Sequence, residues 1–304
     1  MQRSIDEYQA LLLQRAYDDL ERAAVEARTN ASLISDGQPR LAAIYGGTAG
    51  CVCGNQLTEE LWKLRGERLR EWRDRHPESV TARVALATYP LRYGWLLRGG
   101  GYSSTVSQDA SKQFASLVEN ARNALTGLDA STKEDAGWFE AMLDVAVAQG
   151  WPRDRFDALY EEAVRRHPGY LPLYFSAASY YSPKWYGSVK DLQQFIDRAV
   201  DATRSKMGET LYARLVWAES GAFHAAQVDW PRMKAGFERL IRDFPDPWNI
   251  NHYARFACSA GDWETMAKLA KRIGDKPVAA AWSGGEHLYQ ICRKNAGAAR
   301  AKTP

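Results

Sequence analysis

The chain has 304 residues, and its 40 basic and 37 acidic side chains are well mixed, leaving a net charge of +3. So weak a bias gives no argument for nucleic acid or an anionic membrane as partner. At 45% hydrophobic and 12% aromatic, with eleven Trp and fifteen Tyr, the composition is that of an ordered protein with a sizeable core or binding surface, and no segment approaches the roughly 20 apolar residues of a membrane span.

In chain order, nearly every ordered stretch reads as helix. Tyr8, Leu11, Leu12, Ala16, Leu20, Ala23 and Ala27 recur three or four apart and predict one helix from Ile5 to Arg28. Ser35-Asp36-Gly37-Gln38-Pro39 breaks the chain. Gly46 to Gly54 predicts a flexible loop of small residues. Thr58 is placed to cap a helix whose stripe is Leu61, Leu64, Leu69 and Trp72 and which stops at His76-Pro77. Val80 to Leu97 is expected to be mostly helical, with a bend or restart at Pro90. Arg98-Gly99-Gly100-Gly101-Tyr102-Ser103-Ser104 predicts a second flexible loop. Helices are expected from about Ser107 to Leu128 and from Lys133 to Gln149, and the tail from Asn295 to Pro304 is expected to fray.

A phrase then repeats. Gly150-Trp151-Pro152-Arg153, Asp229-Trp230-Pro231-Arg232 and Gly261-Asp262-Trp263 each open an apolar-periodic stretch, and these close at Pro168, Pro245 and Pro277. Self-similarity at a period of roughly 34 residues is the mark of a helical repeat. In a unit begun at Arg214, Trp217 falls at position four, Gly221 at eight, Phe237 at twenty-four, Leu240 at twenty-seven and Pro245 at thirty-two. This resembles the tetratricopeptide repeat (TPR), with departures at His224 and Met233. A small residue such as Gly221 would let the two helices of the unit approach closely, and the closing Pro resets the chain.

Arg98 to Val106, Leu173-Tyr174-Phe175 with Pro183-Lys184-Trp185, and Ala254-Arg255-Phe256-Ala257 are similar to stretches of a bacterial family of TPR-like proteins known as a domain of unknown function. The resemblance covers roughly residues 55 to 285. It implies an all-α, TPR-like helical-repeat solenoid, a right-handed superhelix of antiparallel helix pairs, with no known activity. The expected organisation is an N-terminal helical segment over 1–54, atypical helical pairs over 55–136, TPR-like repeats over 137–294 and a frayed tail over 295–304.

The candidate chemistry is sparse. Cys51-Val52-Cys53 lacks the second pair that a metal site would need, and four cysteines (with Cys258 and Cys292) form no disulfide framework. The expectation is reduced thiols in a cytoplasmic protein, or a periplasmic one if a leader has been removed, with no metal and no cofactor. Arg98 and its glycines lack the Lys and the preceding strand of a phosphate loop. No His pair has ligand spacing, and no Ser, His and acid constellation can be named. Glu161-Glu162 and Asp18-Asp19-Glu21 read as solvated helix faces.

Two features stand out as partner-binding candidates. Trp185 and Tyr186 lie in an insertion, Ser182 to Ser188, where exposed aromatics would anchor a partner; separately, the loop of Arg98 and its glycines reads as a helix connection or as a flexible lip that contacts a partner. In the TPR, the first helix of each unit lines a concave groove. Its gripping positions would here be Trp248, Asn251 and Arg255, beside His252, with Asn251 pairing to a peptide backbone and Arg255 forking a carboxylate. The expected function is therefore a non-enzymatic scaffold or adaptor that holds a protein or peptide in its groove, for example an immunity or antitoxin-like protein. The alternative is an enzyme, or a small-molecule or metal binder, built on the glycine-rich loops and Cys51/Cys53.

Overall fold

A computed structural model describes residues 1–50, 58–99, 106–224 and 227–301, and among these residues there are fifteen α-helices and a few 3-10 turns. Among these residues the only extended pairing is a single bridge between Leu33 and Pro39. The readings placed on Cys51, Cys53 and residues 100–105 lie outside the described residues. The chain divides into two units, one of residues 1–34 and 38–187, the other of residues 35–37 and 188–304. The boundaries expected at 54 and 136 both fall inside the first unit.

The first unit contains α1 (Gln2–Leu13), α2 (Tyr17–Thr29), α3 (Arg40–Thr48), α4 (Glu59–Arg75), α5 (Val80–Arg98), α6 (Gln108–Thr126), α7 (Ala136–Gln149), α8 (Arg153–Arg166) and α9 (Pro172–Tyr181). The single helix expected over Ile5–Arg28 is in fact two. Arg15 takes a positive φ of 63°, and Ala16 N donates to Leu11 O at 2.9 Å, the six-to-one closure of a Schellman turn. The apolar stripe survives the break because the second helix restarts in phase, so periodicity alone does not reveal it. Conversely, Pro90 lies inside an unbroken α5, and Gly46 and Gly47 belong to α3 rather than to a loop. Gly47 is needed there because a Cβ would strike the backbone of Ile5 and Gln9 in α1. Helices α5, α7 and α9 touch in sequence, while α6 and α8 connect them. This is the packing of successive helix pairs.

The second unit contains α10 (Val189–Met207), α11 (Thr210–Ala218), α12 (Trp230–Asp243), α13 (Pro247–Ser259), α14 (Trp263–Ile273) and α15 (Gly285–Ala301). Asp229 and Asp262, from the repeated Asp-Trp phrase, both act as N-caps and accept from Arg232 N at 3.1 Å and Thr265 N at 3.0 Å. The phrase is therefore a helix-start signal with a physical cause, the unmet N–H groups of a first turn. The close approach expected at Gly221 is absent, since that residue has open space around its Cα. Gly236 takes that role instead: a Cβ there would meet Glu209 O and Ala213 Cβ at the start of α11. His224, one of the departures from the repeat pattern, is exposed. Helix α15 continues past Asn295 to Ala301.

Ser35–Gly37 belongs to this second unit. Asp36 O accepts from Arg214 Nη2 at 2.5 Å and from Asn249 Nδ2 at 3.1 Å, and all three residues are buried. Burial draws the Arg214 pKa down to about 10.

Cys258 of α13 and Cys292 of α15 form a disulfide, with Cα atoms 5.7 Å apart. The expectation of reduced thiols is thus overturned for these two cysteines. Their separation of 34 residues gave no hint of pairing, because only packing of α15 against α13 and α14 brings them together. Closing a loop of that length stabilises a fold by about 3–4 kcal/mol. Reductant, or Cys258→Ser, is therefore expected to lower the unfolding free energy by about that amount. Urea denaturation with and without reductant checks this, and coincident curves would show that no bridge forms.

Candidate functional site

Chemistry-bearing side chains gather in three places, two in the first unit and one in the second. The first is an ionic network across α5, α7 and α9. Before its last residue, Gln149, helix α7 is apolar except for Glu140 and Asp144, one turn apart and so on one face. Arg92 of α5 bridges both, 3.0 Å from Glu140 Oε1 and 2.8 Å from Asp144 Oδ2. The Tyr170 hydroxyl donates to Glu140 Oε2 at 2.8 Å, and Ser176 Oγ donates to Asp144 Oδ1 at 2.6 Å. Burial pushes the Glu140 carboxyl up to about 7, against the pull of Arg92 and with some help from Asp144. At the N-cap of α7, a second network has Arg28 2.7 Å from Asp135 Oδ2, with Nη1 donating to Thr81 at 2.9 Å, while the Tyr45 hydroxyl donates to Asp135 Oδ1 at 2.7 Å. Neither network was named from the sequence. The available signal was two carboxylates in an otherwise apolar helix, a pattern that calls for a buried cation.

The second place is aromatic, and here sequence candidates do converge. The Arg98 guanidinium lies 5.3 Å from the Trp95 ring, 5.6 Å from Phe114 and 5.8 Å from Trp185. Trp185 meets Trp95 edge-on at 5.5 Å and lies 6.2 Å from Tyr186. Tyr186 is 44% exposed, yet its hydroxyl is fixed by donation to Val147 O at 2.9 Å. The insertion therefore holds its two aromatics in place, packed against the end of α5.

The third place is α13, where the expected trio is regrouped. Asn251 is only 2% exposed, and its amide is consumed internally. Its Nδ2 donates to Pro247 O at 2.8 Å, while Oδ1 accepts from Val278 N at 3.1 Å and Trp282 Nε1 at 3.0 Å. It ties α13 to the segment before α15 instead of facing a peptide. His252 takes its place beside the other two, giving a stripe of Trp248, His252 and Arg255. The His252 ring lies tilted 3.8 Å from Trp217 and edge-on 4.4 Å from Trp248, is 4% exposed, and has no hydrogen-bond partner at either nitrogen. Burial, and then the nearby Arg255 charge, pull its pKa down to about 2, so the ring is neutral. Arg255 is half-buried and lies 4.5 Å over the Phe256 ring.

The second unit also has a cavity of about 220 Å³ beside Tyr212, Val216 and Gln193. Its Arg232 is already paired, to Asp197 at 2.7 Å and Glu209 at 2.9 Å. Among the described residues there is no group of three or more His, Cys, Asp or Glu able to hold a metal ion, and no helix is long and apolar enough to cross a membrane.

Two outcomes follow from this geometry. Asn251→Ala strands two buried donors, each worth about 1–3 kcal/mol, so it is expected to destabilise the fold by about 2–4 kcal/mol in urea titration; a loss under ~0.5 kcal/mol would refute its tethering role. For Glu140, the unfolded carboxyl titrates near 4.5 and the folded one near 7. Between those values the folded state holds more protons, so stability falls as pH rises through the window. Glu140→Gln is expected to flatten that slope, measured as urea midpoints from pH 4.5 to 7.5; an unchanged slope would count against the assignment.

No family model matches the chain, and neither a curated protein nor a solved structure matches it.

Proposed function

We propose that this chain is a non-enzymatic, TPR-like helical-repeat scaffold that holds a protein or peptide partner. The observation that carries the reading is the cluster of Arg98, Trp95, Phe114, Trp185 and Tyr186. Trp, Tyr and Arg dominate the few side chains that supply most binding energy at protein interfaces. Here they are part-exposed and already held in position, by ring-on-ring contacts and by the Tyr186 hydrogen bond, so a partner would meet them with little ordering cost. The sequence of contacts α5–α7–α9 supports a repeat arrangement of the helix pairs in the first unit. The repeated Asp-Trp helix starts support it in the second.

The Cys258–Cys292 bridge bears on the compartment. Such bonds persist where the surroundings are oxidising, so an exported setting is favoured over the cytoplasmic one expected from cysteine count.

The test is photo-crosslinking in cells that make the protein. A crosslinker at Tyr186 should give one dominant adduct, and the same crosslinker at the exposed Val25 should not. Trp185→Ala should reduce the adduct about tenfold while leaving the fold intact by circular dichroism. Equal labelling from both positions would overturn the reading.

A further inference from the structure

Helix α15 is held to the second unit by few side chains. Among its described residues, Tyr289, Cys292 and Ala296 are buried, and of these only the tyrosine is large. By contrast, α12 buries Met233, Phe237 and Leu240. Tyr289 anchors the first half of α15: its hydroxyl donates to Gly274 O at 2.7 Å, and its ring meets Trp282 edge-on at 5.1 Å. Arg293 pairs with Asp275 at the exposed surface, a contact that holds little. Among the described side chains after Cys292, Ala296 is the one that is buried. A helix this short barely persists in water without packing. The second half of α15 therefore depends on the bridge from Cys292 to Cys258 of α13.

The two sulfurs differ in access. Cys292 is 1% exposed. Cys258 is half-buried in the last turn of α13, and Ser259, Ala260 and Gly261 directly after it are exposed. They differ in charge as well. The C-terminal end of a helix is rich in carbonyls and repels an anion. Arg255 lies one turn before Cys258 on the same face of α13 and supplies the offsetting charge. Its guanidinium rests 4.5 Å over the Phe256 ring and has no ion pair among the described residues, so no carboxylate cancels it. A cation beside a cysteine draws in and stabilises a thiolate.

We infer that Cys258–Cys292 is a thiol–disulfide exchange site, entered at Cys258 beside Arg255, and that its reduction by a dithiol protein releases α15 from its place on α13 and α14. The attacking thiolate bonds to Cys258 Sγ. The S–S bond breaks, and Cys292 leaves with the electron pair and takes a proton from water as α15 lifts away. The second thiolate of the dithiol then displaces Cys258 from the mixed disulfide, and Arg255 stabilises the departing sulfur. The chain gains two electrons and two protons, and the dithiol is left as a disulfide. Nothing in this site is shared with the aromatic cluster of the first unit, so the two readings stand or fall separately.

The test is hydrogen exchange on the full chain, read by mass spectrometry with and without dithiothreitol. Reduction should speed amide exchange over residues 290–299 about a hundredfold, while α10, α11 and α12 keep their protection. The double variant Cys258→Ser/Cys292→Ser should exchange fast there with or without reductant, which ties the effect to this bridge. Brief treatment with glutathione, quenched in acid and mapped by peptide mass, should place the first adduct on Cys258. Arg255→Gln should slow that step about threefold or more, and Arg255→Lys, which keeps the charge, should restore it. Unfolding midpoints like wild type certify both arginine variants. The proposal is overturned if residues 290–299 exchange alike in both redox states, or if α10 to α12 lose protection together with α15. It is equally overturned if the first adduct falls on Cys292, or if folded Arg255→Gln reacts at the wild-type rate.

Discussion

Packing helices against one another buries the polar backbone left at their ends and reversals, and those groups must be satisfied before the apolar faces can close. Side chains from other helices do this repeatedly here. Arg65 of α4 reaches the carbonyls of Gly47 and Thr48 at the end of α3. Arg214 and Asn249 together satisfy Asp36 O. An unmet buried carbonyl costs about as much as a lost hydrogen bond, so each such contact also fixes how two segments meet.

The same logic governs the polar side chains within the helices. Glu140 and Asp144 are held on an apolar helix only because Arg92, Tyr170 and Ser176 converge on them. Asn251 is held because Val278 and Trp282 need its oxygen. Groups so fully engaged position helices; they have little left to offer a ligand. Arg255 is the side chain with capacity to spare, and the rings of Trp185 and Tyr186 are part-exposed. The contrast between engaged and unengaged groups separates framework from surface better than residue type does, since arginine, tyrosine and tryptophan occur in both.

The helix starts were legible because their cause is local: Asp229 and Asp262 cap the N–H groups two or three residues on. The gathering of Arg98, Trp185 and Tyr186 was legible only as a list of candidates. Other readings failed where two answers share one local pattern. A stripe from Tyr8 to Ala27 fits one helix or two in phase, and the left-handed Arg15 decides it. Glycine at 221 and at 236 looks equally able to admit a neighbour, and only the position of Glu209 shows which one does.

From its sequence alone this chain was committed to being all-helical, to the places where most helices begin, and to an aromatic-rich core, because spacing, capping and hydrophobicity act within a few residues. Tertiary structure decided which polar groups are spent and which remain. It turned Asn251 inward, set His252 between two tryptophans, joined Cys258 to Cys292 and left Arg255 without an oxygen partner. Those outcomes depend on partners dozens of residues away in the sequence, or on their absence, and three-dimensional packing alone supplies them.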